Sequence, residues 1–355
     1  MDQLRVAGEK QLQQARQYFQ NDLTPLVDML TLLTGDSNVG GIRELTALSY
    51  ESKEETQKKN TVEGAIISLE NDTGHVVAMI GGNRFEQTNQ LNRALQASVQ
   101  PGSSFKPLYY AAAVEEEVIT PATRIYDSPV VFWNDDGTPY TPTNYRGEWA
   151  GTVLARYALA TSMNVPSLKV LNDLGFDDAI EITSRLLNID ERDQVARGLV
   201  RRYPIGLGVI SVSPVMMAQA FATFPNQGRR VTPVFVRYVE DRTGRIVAEP
   251  ERQLREEQAR MGRELQLISP QTAYIMTDML QSTVEYGTLA NRRRLVGGFG
   301  DMPIAGKTGT TQNWSALWTV GFTPHYTTAV WIGFDEGTTP SASIRPVRLP
   351  PVPSG

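Results

Sequence analysis

The chain has 355 residues, 34 basic against 39 acidic, for a formal net charge of −5. That mild acidity, with Arg292-Arg293-Arg294 as its densest basic run, leaves no footprint for nucleic acid. The absence of cysteine removes disulfides, thiolate catalysis and zinc–thiolate sites, and two histidines beside turn residues, His75 and His325, leave serine chemistry to find another base.

The chain opens inside a helical pattern, Leu4 to Leu12, rather than on a signal peptide. This predicts a fragment of a longer protein. No run of 18 apolar residues, the length needed to cross a membrane as a helix, occurs anywhere. Leu23, Leu26, Val27, Leu30 and Leu33 recur on one helix face, and Glu51 to Asn60 is charged. Residues 1–60 therefore read as an inter-module linker or helical segment.

From residue 61 the period changes. Val62 to Leu69 and His75 to Ile80 are β-rich runs separated by the turn residues Glu70 to Gly74, a predicted hairpin. Leu108 to Glu117, Val153 to Ser162, Val165 to Leu174, Asp178 to Leu187, Val215 to Thr223 and Pro270 to Val284 have helical spacing. Residues 127–150 are rich in Pro, Gly, Asp, Asn and Thr and read as a structured loop or small insertion. Ile304 to Thr311, Leu317 to Phe322 and Thr327 to Phe334 are three further strands. Two strands early and three late predict an α+β fold: a mostly antiparallel sheet of about five strands covered by helices, plus a largely helical subdomain. This domain spans 61–337. Residues 338–355 form a Pro-rich C-terminal tail.

Three short motifs carry chemistry. The first is Ser103-Ser104-Phe105-Lys106. A helix starting near Ser103, with the serine as N-cap, tolerates Pro107 in its first turn. Residues three apart share a helix face and residues two apart do not, so Ser103 rather than Ser104 meets Lys106. A serine hydroxyl needs a base, and Lys106 serves only when neutral. Burial and a second lysine would lower its pKa. The helix start also offers backbone N–H groups to an oxyanion.

The second motif, Ser162-Met163-Asn164, lies between two helical stretches. Its serine suits proton relay and its asparagine suits bonding a substrate amide. The third is Lys307-Thr308-Gly309-Thr310 on a strand. Glycine inside a strand marks a close approach by a ligand or another backbone. Lys307 with the hydroxyls of Thr308 and Thr310 suits a carboxylate. Each motif alone has a bland reading: a capped helix with a solvated lysine, a helix-end Ser/Asn pair, a lysine-protected edge strand. All three in this order form the Ser-x-x-Lys, Ser-x-Asn, Lys-Thr-Gly set.

The chain resembles the transpeptidase module of a class A (bifunctional) penicillin-binding protein from about Val62 to Glu336. Thr73 to Gly82, Asn92-Arg93-Ala94, Pro142-Thr143-Asn144-Tyr145, Arg156 to Ala160, Tyr286-Gly287-Thr288 and Val320 to Pro324 extend the likeness. The resemblance implies a serine β-lactamase/penicillin-binding fold and D,D-transpeptidation of peptidoglycan stem peptides. Ser103 would attack the D-Ala-D-Ala bond and Lys106 would take its proton. The N–H groups of Ser103 and Thr310 would form the oxyanion hole, Ser162 would relay a proton to departing D-alanine, and Asn164 would orient the peptide. Lys307, Thr308, Gly309 and Thr310 would bind its end. An acceptor amine would resolve the acyl-enzyme, and β-lactams would acylate the same serine. No cofactor or metal is implied.

The family's glycosyltransferase module and membrane anchor would belong to the parent, working at the extracytoplasmic face of the bacterial cytoplasmic membrane. Two stretches depart from the pattern: Ala316-Leu317-Trp318 stands for Asp-Ala-Trp, and Ser98-Val99-Gln100 for Arg-Arg-Gln. A β-lactamase would need a glutamate in a Glu-x-x-Leu-Asn loop, where Ser184-Arg185-Leu186-Leu187-Asn188 has serine. A D,D-carboxypeptidase or a penicillin-sensing receptor domain would retain the three motifs.

Overall fold

The computed structural model describes residues 61–85, 89–145, 147–290, 302–311 and 315–335. The expected N-terminal linker and Pro-rich tail lie outside these residues. In chain order the elements are β1 (Glu63–Glu70), β2 (Val76–Ile80), α1 (Arg93–Gln96), a 3-10 turn (Gly102–Phe105) and α2 (Lys106–Glu115). Next come β3 (Arg124–Asp127), β4 (Phe132–Trp133), β5 (Pro139–Tyr140), β6 (Gly151–Leu154), α3 (Ala155–Ala160), α4 (Asn164–Leu174), α5 (Phe176–Leu187) and α6 (Glu191–Gln194). They are followed by α7 (Pro214–Ala222), β7 (Val239–Glu240), β8 (Ile246–Ala248), α8 (Pro250–Met261), α9 (Pro270–Glu285), β9 (Ala305–Thr310), β10 (Ala316–Phe322) and β11 (Tyr326–Gly333).

The main sheet runs β2-β1-β11-β10-β9, antiparallel throughout. The late strands form a meander, and β11 pairs along the whole of β1, from Glu63 with Gly333 to Glu70 with Tyr326. Alternation fixes this register: Ala65, Ile67 and Leu69 of β1 and Ala329 and Trp331 of β11 are buried, and a one-residue slip would turn them to the opposite face. The five expected strands thus form one sheet, and β9, bearing Lys-Thr-Gly, is its edge.

Helices α7 and α9 pack on the sheet, and α2 packs against α4, α5 and α9. Helix α2 is buried on all sides from Lys106 to Val114, as expected of a helix inside a core. Its tyrosines find partners there: Tyr109 Oη donates to the carbonyls of Ser167 and Gly206, and Tyr110 Oη bonds Ser167 Oγ at 3.0 Å.

Three local expectations change. The α-helix begins at Lys106 and not near Ser103, and Ser103 is no N-cap. Gly102, at φ +55°, instead starts a 3-10 turn that places Ser103 in its middle. Val153 and Leu154 close a strand, β6, before α3 begins at Ala155. Helix α8 escapes the periodicity reading because no residue along it is buried.

Candidate active site

The site forms where the 3-10 turn, the loop between α3 and α4, and the edge strand β9 meet. The strand reaches the turn because Gly309 has no side chain. A Cβ there would lie 2.2 Å from the Pro101 carbonyl and 2.9 Å from the Ser104 nitrogen. Gly102 is pressed from the other side, where a Cβ would lie 2.5 Å from the Thr310 carbonyl. Ahead of the turn, Val99 and Val212 exchange backbone hydrogen bonds, and Trp318 Nε1 donates to the Gln100 carbonyl at 2.8 Å.

The two serines have different surroundings. Ser104 is fully buried and its hydroxyl donates to the Pro101 carbonyl at 2.7 Å. Ser103 is half-buried, and its hydroxyl makes no hydrogen bond among the described residues. Lys106 lies one 3-10 turn further on, where residues three apart eclipse.

The Lys106 ammonium is completely buried. It is not bonded to Ser103. It donates to the carbonyls of Ser162 and Met163 at 2.9 and 3.0 Å, and to Asn164 Oδ1 at 2.9 Å. Ser162 holds a left-handed backbone, φ +63°, unusual for a residue with a side chain. In this conformation its carbonyl accepts from Lys106, and its hydroxyl accepts from Lys307 Nζ at 2.8 Å. Lys307 also donates to the Thr308 carbonyl at 2.9 Å. The Thr308 hydroxyl bonds that of Thr288 at 2.7 Å. Thr308 and Thr310 are half-buried, unlike Lys307 and Gly309.

Burial pushes the Lys307 ammonium down to about 7. Burial and then the charge of Lys307 push Lys106 well below the usual lysine value. The three acceptors around Lys106 act in the opposite sense. Burial and the second lysine outweigh them, so the net direction is downward. All eight residues singled out from the sequence, Ser103, Lys106, Ser162, Asn164, Lys307, Thr308, Gly309 and Thr310, lie on the converging elements or, for Lys106 and Asn164, at the first residue of the helix that follows one of them.

Residues 64–342 match the family model described as the penicillin binding protein transpeptidase domain. The chain belongs to this family. Penicillin-binding protein 1A of Neisseria meningitidis is 35% identical over 277 residues, covering 78% of this chain and 33% of the relative. That of Pseudomonas aeruginosa is 33% identical over 318 residues, covering 78% and 37%. The chain thus spans about a third of the length of these relatives. Among solved structures, penicillin-binding protein 1A from Haemophilus influenzae superposes with a TM-score of 0.67 at 25% identity, covering 78% of this chain and 44% of that one. The PonA1 protein of Mycobacterium tuberculosis in complex with penicillin V gives 0.62 at 26%, covering 80% and 73%.

The stretch Ser184 to Asn188, compared above with a deacylating loop, is the end of α5. Arg185 and Glu115 line one cavity of about 400 Å³ at the far end of α2 from Lys106. Among the described residues Arg185 pairs with the Gln266 carbonyl and Glu181, and Asn188 with Arg230, none of them in the three motifs. His75 bonds Glu251 at 2.8 Å and belongs to none of the converging elements. The motifs alone did not single out Trp318 Nε1 or the loop around Asn144. The Asn144 loop had a signal in the Pro-x-Asn-Tyr pattern, but no role followed from it.

Proposed function

We propose that the domain is a peptidoglycan D,D-transpeptidase working through a Ser103 acyl-enzyme. One observation carries this reading: two buried lysines from different elements both bond to Ser162, beside a serine whose hydroxyl has no hydrogen-bond partner among the described residues. The family match and the penicillin complex of a related fold support it.

In this mechanism a stem peptide lies along β9, the sheet edge, with its terminal carboxylate at Lys307, Thr308 and Thr310. Gly309 keeps the strand close to the nucleophile. Lys106, neutral at the moment of attack, takes the Ser103 proton as Oγ bonds to the D-Ala carbonyl carbon. The N–H groups of Ser103 and Thr310 hold the developing oxyanion. Lys106 passes the proton through the Ser162 hydroxyl to the amine of the departing D-alanine, leaving an ester on Ser103. Asn164 aligns the peptide amide. An acceptor amine then attacks the ester and forms the cross-link, its released proton passing by way of Lys106 to the departing Ser103 oxygen. A β-lactam carbonyl meets the same serine, and its opened ring stays attached. The domain would act beside a glycosyltransferase module and membrane anchor in its parent, outside the cytoplasmic membrane.

The test is intact-protein mass spectrometry after incubation with penicillin G, on the wild type, Ser103→Ala and Ser104→Ala. A persistent one-equivalent adduct on the wild type and Ser104→Ala, but not Ser103→Ala, is expected. An adduct that survives Ser103→Ala, or none on the wild type, refutes the assignment.

A further inference from the structure

A buried carboxylate that the proposed chemistry does not use stands behind the site. Asp127, the last residue of β3, is 1% exposed. Its hydrogen-bond donors among the described residues are neutral. Asn144 Nδ2 donates to both carboxylate oxygens, at 2.8 and 2.9 Å, and the Ala150 N–H donates at 2.9 Å. Burial of a carboxylate on neutral donors alone is costly, which suggests a use.

The bonds that lead away from it point to that use. Both Asp127 oxygens accept from the NH₂ end of the Asn144 amide. The Asn144 oxygen must then face the start of α4, where it accepts from the backbone N–H groups of Asn164 and Val165 at 3.2 and 3.1 Å. One residue earlier, the Thr143 carbonyl accepts from Asn164 Nδ2 at 3.1 Å. A carbonyl also selects the NH₂ end, so the Asn164 oxygen is turned to Lys106 Nζ, 2.9 Å away.

We propose that Asp127 is a positioning residue of the active site: through Asn144 and the 143–144 backbone it fixes which end of the Asn164 amide faces Lys106. The role rests on Lys106 being the proton acceptor for Ser103. Asn164 supplies one of the three acceptors around the Lys106 ammonium. When the amide is released, the ammonium is less stabilised and the amine less well placed. The acid limb of the acylation–pH profile then moves to lower pH while the plateau rate falls. A loop staple with no link to Lys106 would change the amount of folded protein but leave the limb in place. Lys307, the charged side chain acting on Lys106 from β9, is kept in every variant, so its repulsion is common to all.

The experiment follows acylation by a fluorescent penicillin against pH for the wild type, Asp127→Asn, Asn164→Ala and the double variant, with the same chain throughout. Asp127→Asn is expected to slow the plateau about tenfold, the worth of one hydrogen bond to a charged group, and to shift the limb down. In the Asn164→Ala background it adds nothing, because the two act in series. An unmoved limb in Asp127→Asn, or two effects that simply multiply, overturns the inference. If Asp127→Asn yields no folded protein, Asn144→Ala replaces it with the same expectations. A wild type that takes no penicilloyl group on Ser103 overturns the transpeptidase reading itself. A wild type that is acylated, alongside a variant with an unmoved limb, overturns only the role of Asp127.

Discussion

Replacing Lys307 by methionine should stabilise the protein near neutral pH while disabling it. The side chain is fully buried, and burial lowers it from 10.5 to about 7. At 1.36 kcal/mol per unit, holding the charge there costs about 4–5 kcal/mol. Methionine of similar length removes that cost but loses the bonds to Ser162 Oγ and the Thr308 carbonyl, about 1–1.5 kcal/mol each. The net gain near pH 7 is about 2 kcal/mol. Between the folded value and the unfolded one, the unfolded chain binds the extra proton, so the wild type gains stability from Lys307 as pH rises from about 7 to about 10.5. Above that window lysine is neutral in both states, only the lost bonds remain, and Lys307→Met becomes the less stable protein. Urea unfolding of both proteins at neutral and alkaline pH measures the crossing. The same variant lacks the cation proposed to hold the substrate carboxylate, and penicillin acylation should fall on the order of a hundredfold, the worth of a hydrogen bond to a charged group. Equal destabilisation at both pH values would refute the reasoning, because Lys307 would then carry no buried-charge cost.

Other consequences follow from the same geometry. Lys307→Met also removes the positive charge acting on Lys106, so the residual acylation should need a higher pH, read from its acid limb. Gly309→Ala places a methyl group 2.2 Å from the Pro101 carbonyl. It should cost more than about 2 kcal/mol in urea unfolding, because backbone must shift to make room, and should nearly abolish acylation. Trp318→Phe deletes the donor to the Gln100 carbonyl, should cost about 1 kcal/mol, and should slow acylation without changing its stoichiometry. Ser184→Glu should not create nitrocefin turnover, because the substituted position lies at the end of α5, towards the far end of α2 from Lys106. Release of the penicilloyl group measured by mass spectrometry checks this.

Residue order and type alone determined a good deal. β-rich runs bounded by turn residues named the five strands, and in β1, β10 and β11 burial alternates because one face of each packs on the core. The expectation that Ser103 rather than Ser104 is the reacting serine was also local, a matter of which residue lies one turn before Lys106. Tertiary structure decided what depended on neighbours from elsewhere. Helix α8 has no buried residue and so no apolar stripe to read. The 3-10 turn at Ser103 arises from packing of Gly102 against Thr310, more than two hundred residues away in sequence. Lys106 meets the Ser162–Asn164 loop and not the Ser103 hydroxyl, because the left-handed turn at Ser162 presents carbonyls to it. Asp127 and Asn144 had no motif that stated their role. Their place behind Lys106 follows from the short β3–β6 ribbon, whose pairing sets Asp127 opposite Gly151. Sequence thus specified which groups could do the chemistry. The fold decided which of them touch, because desolvation and hydrogen-bond direction exist only once distant segments have packed.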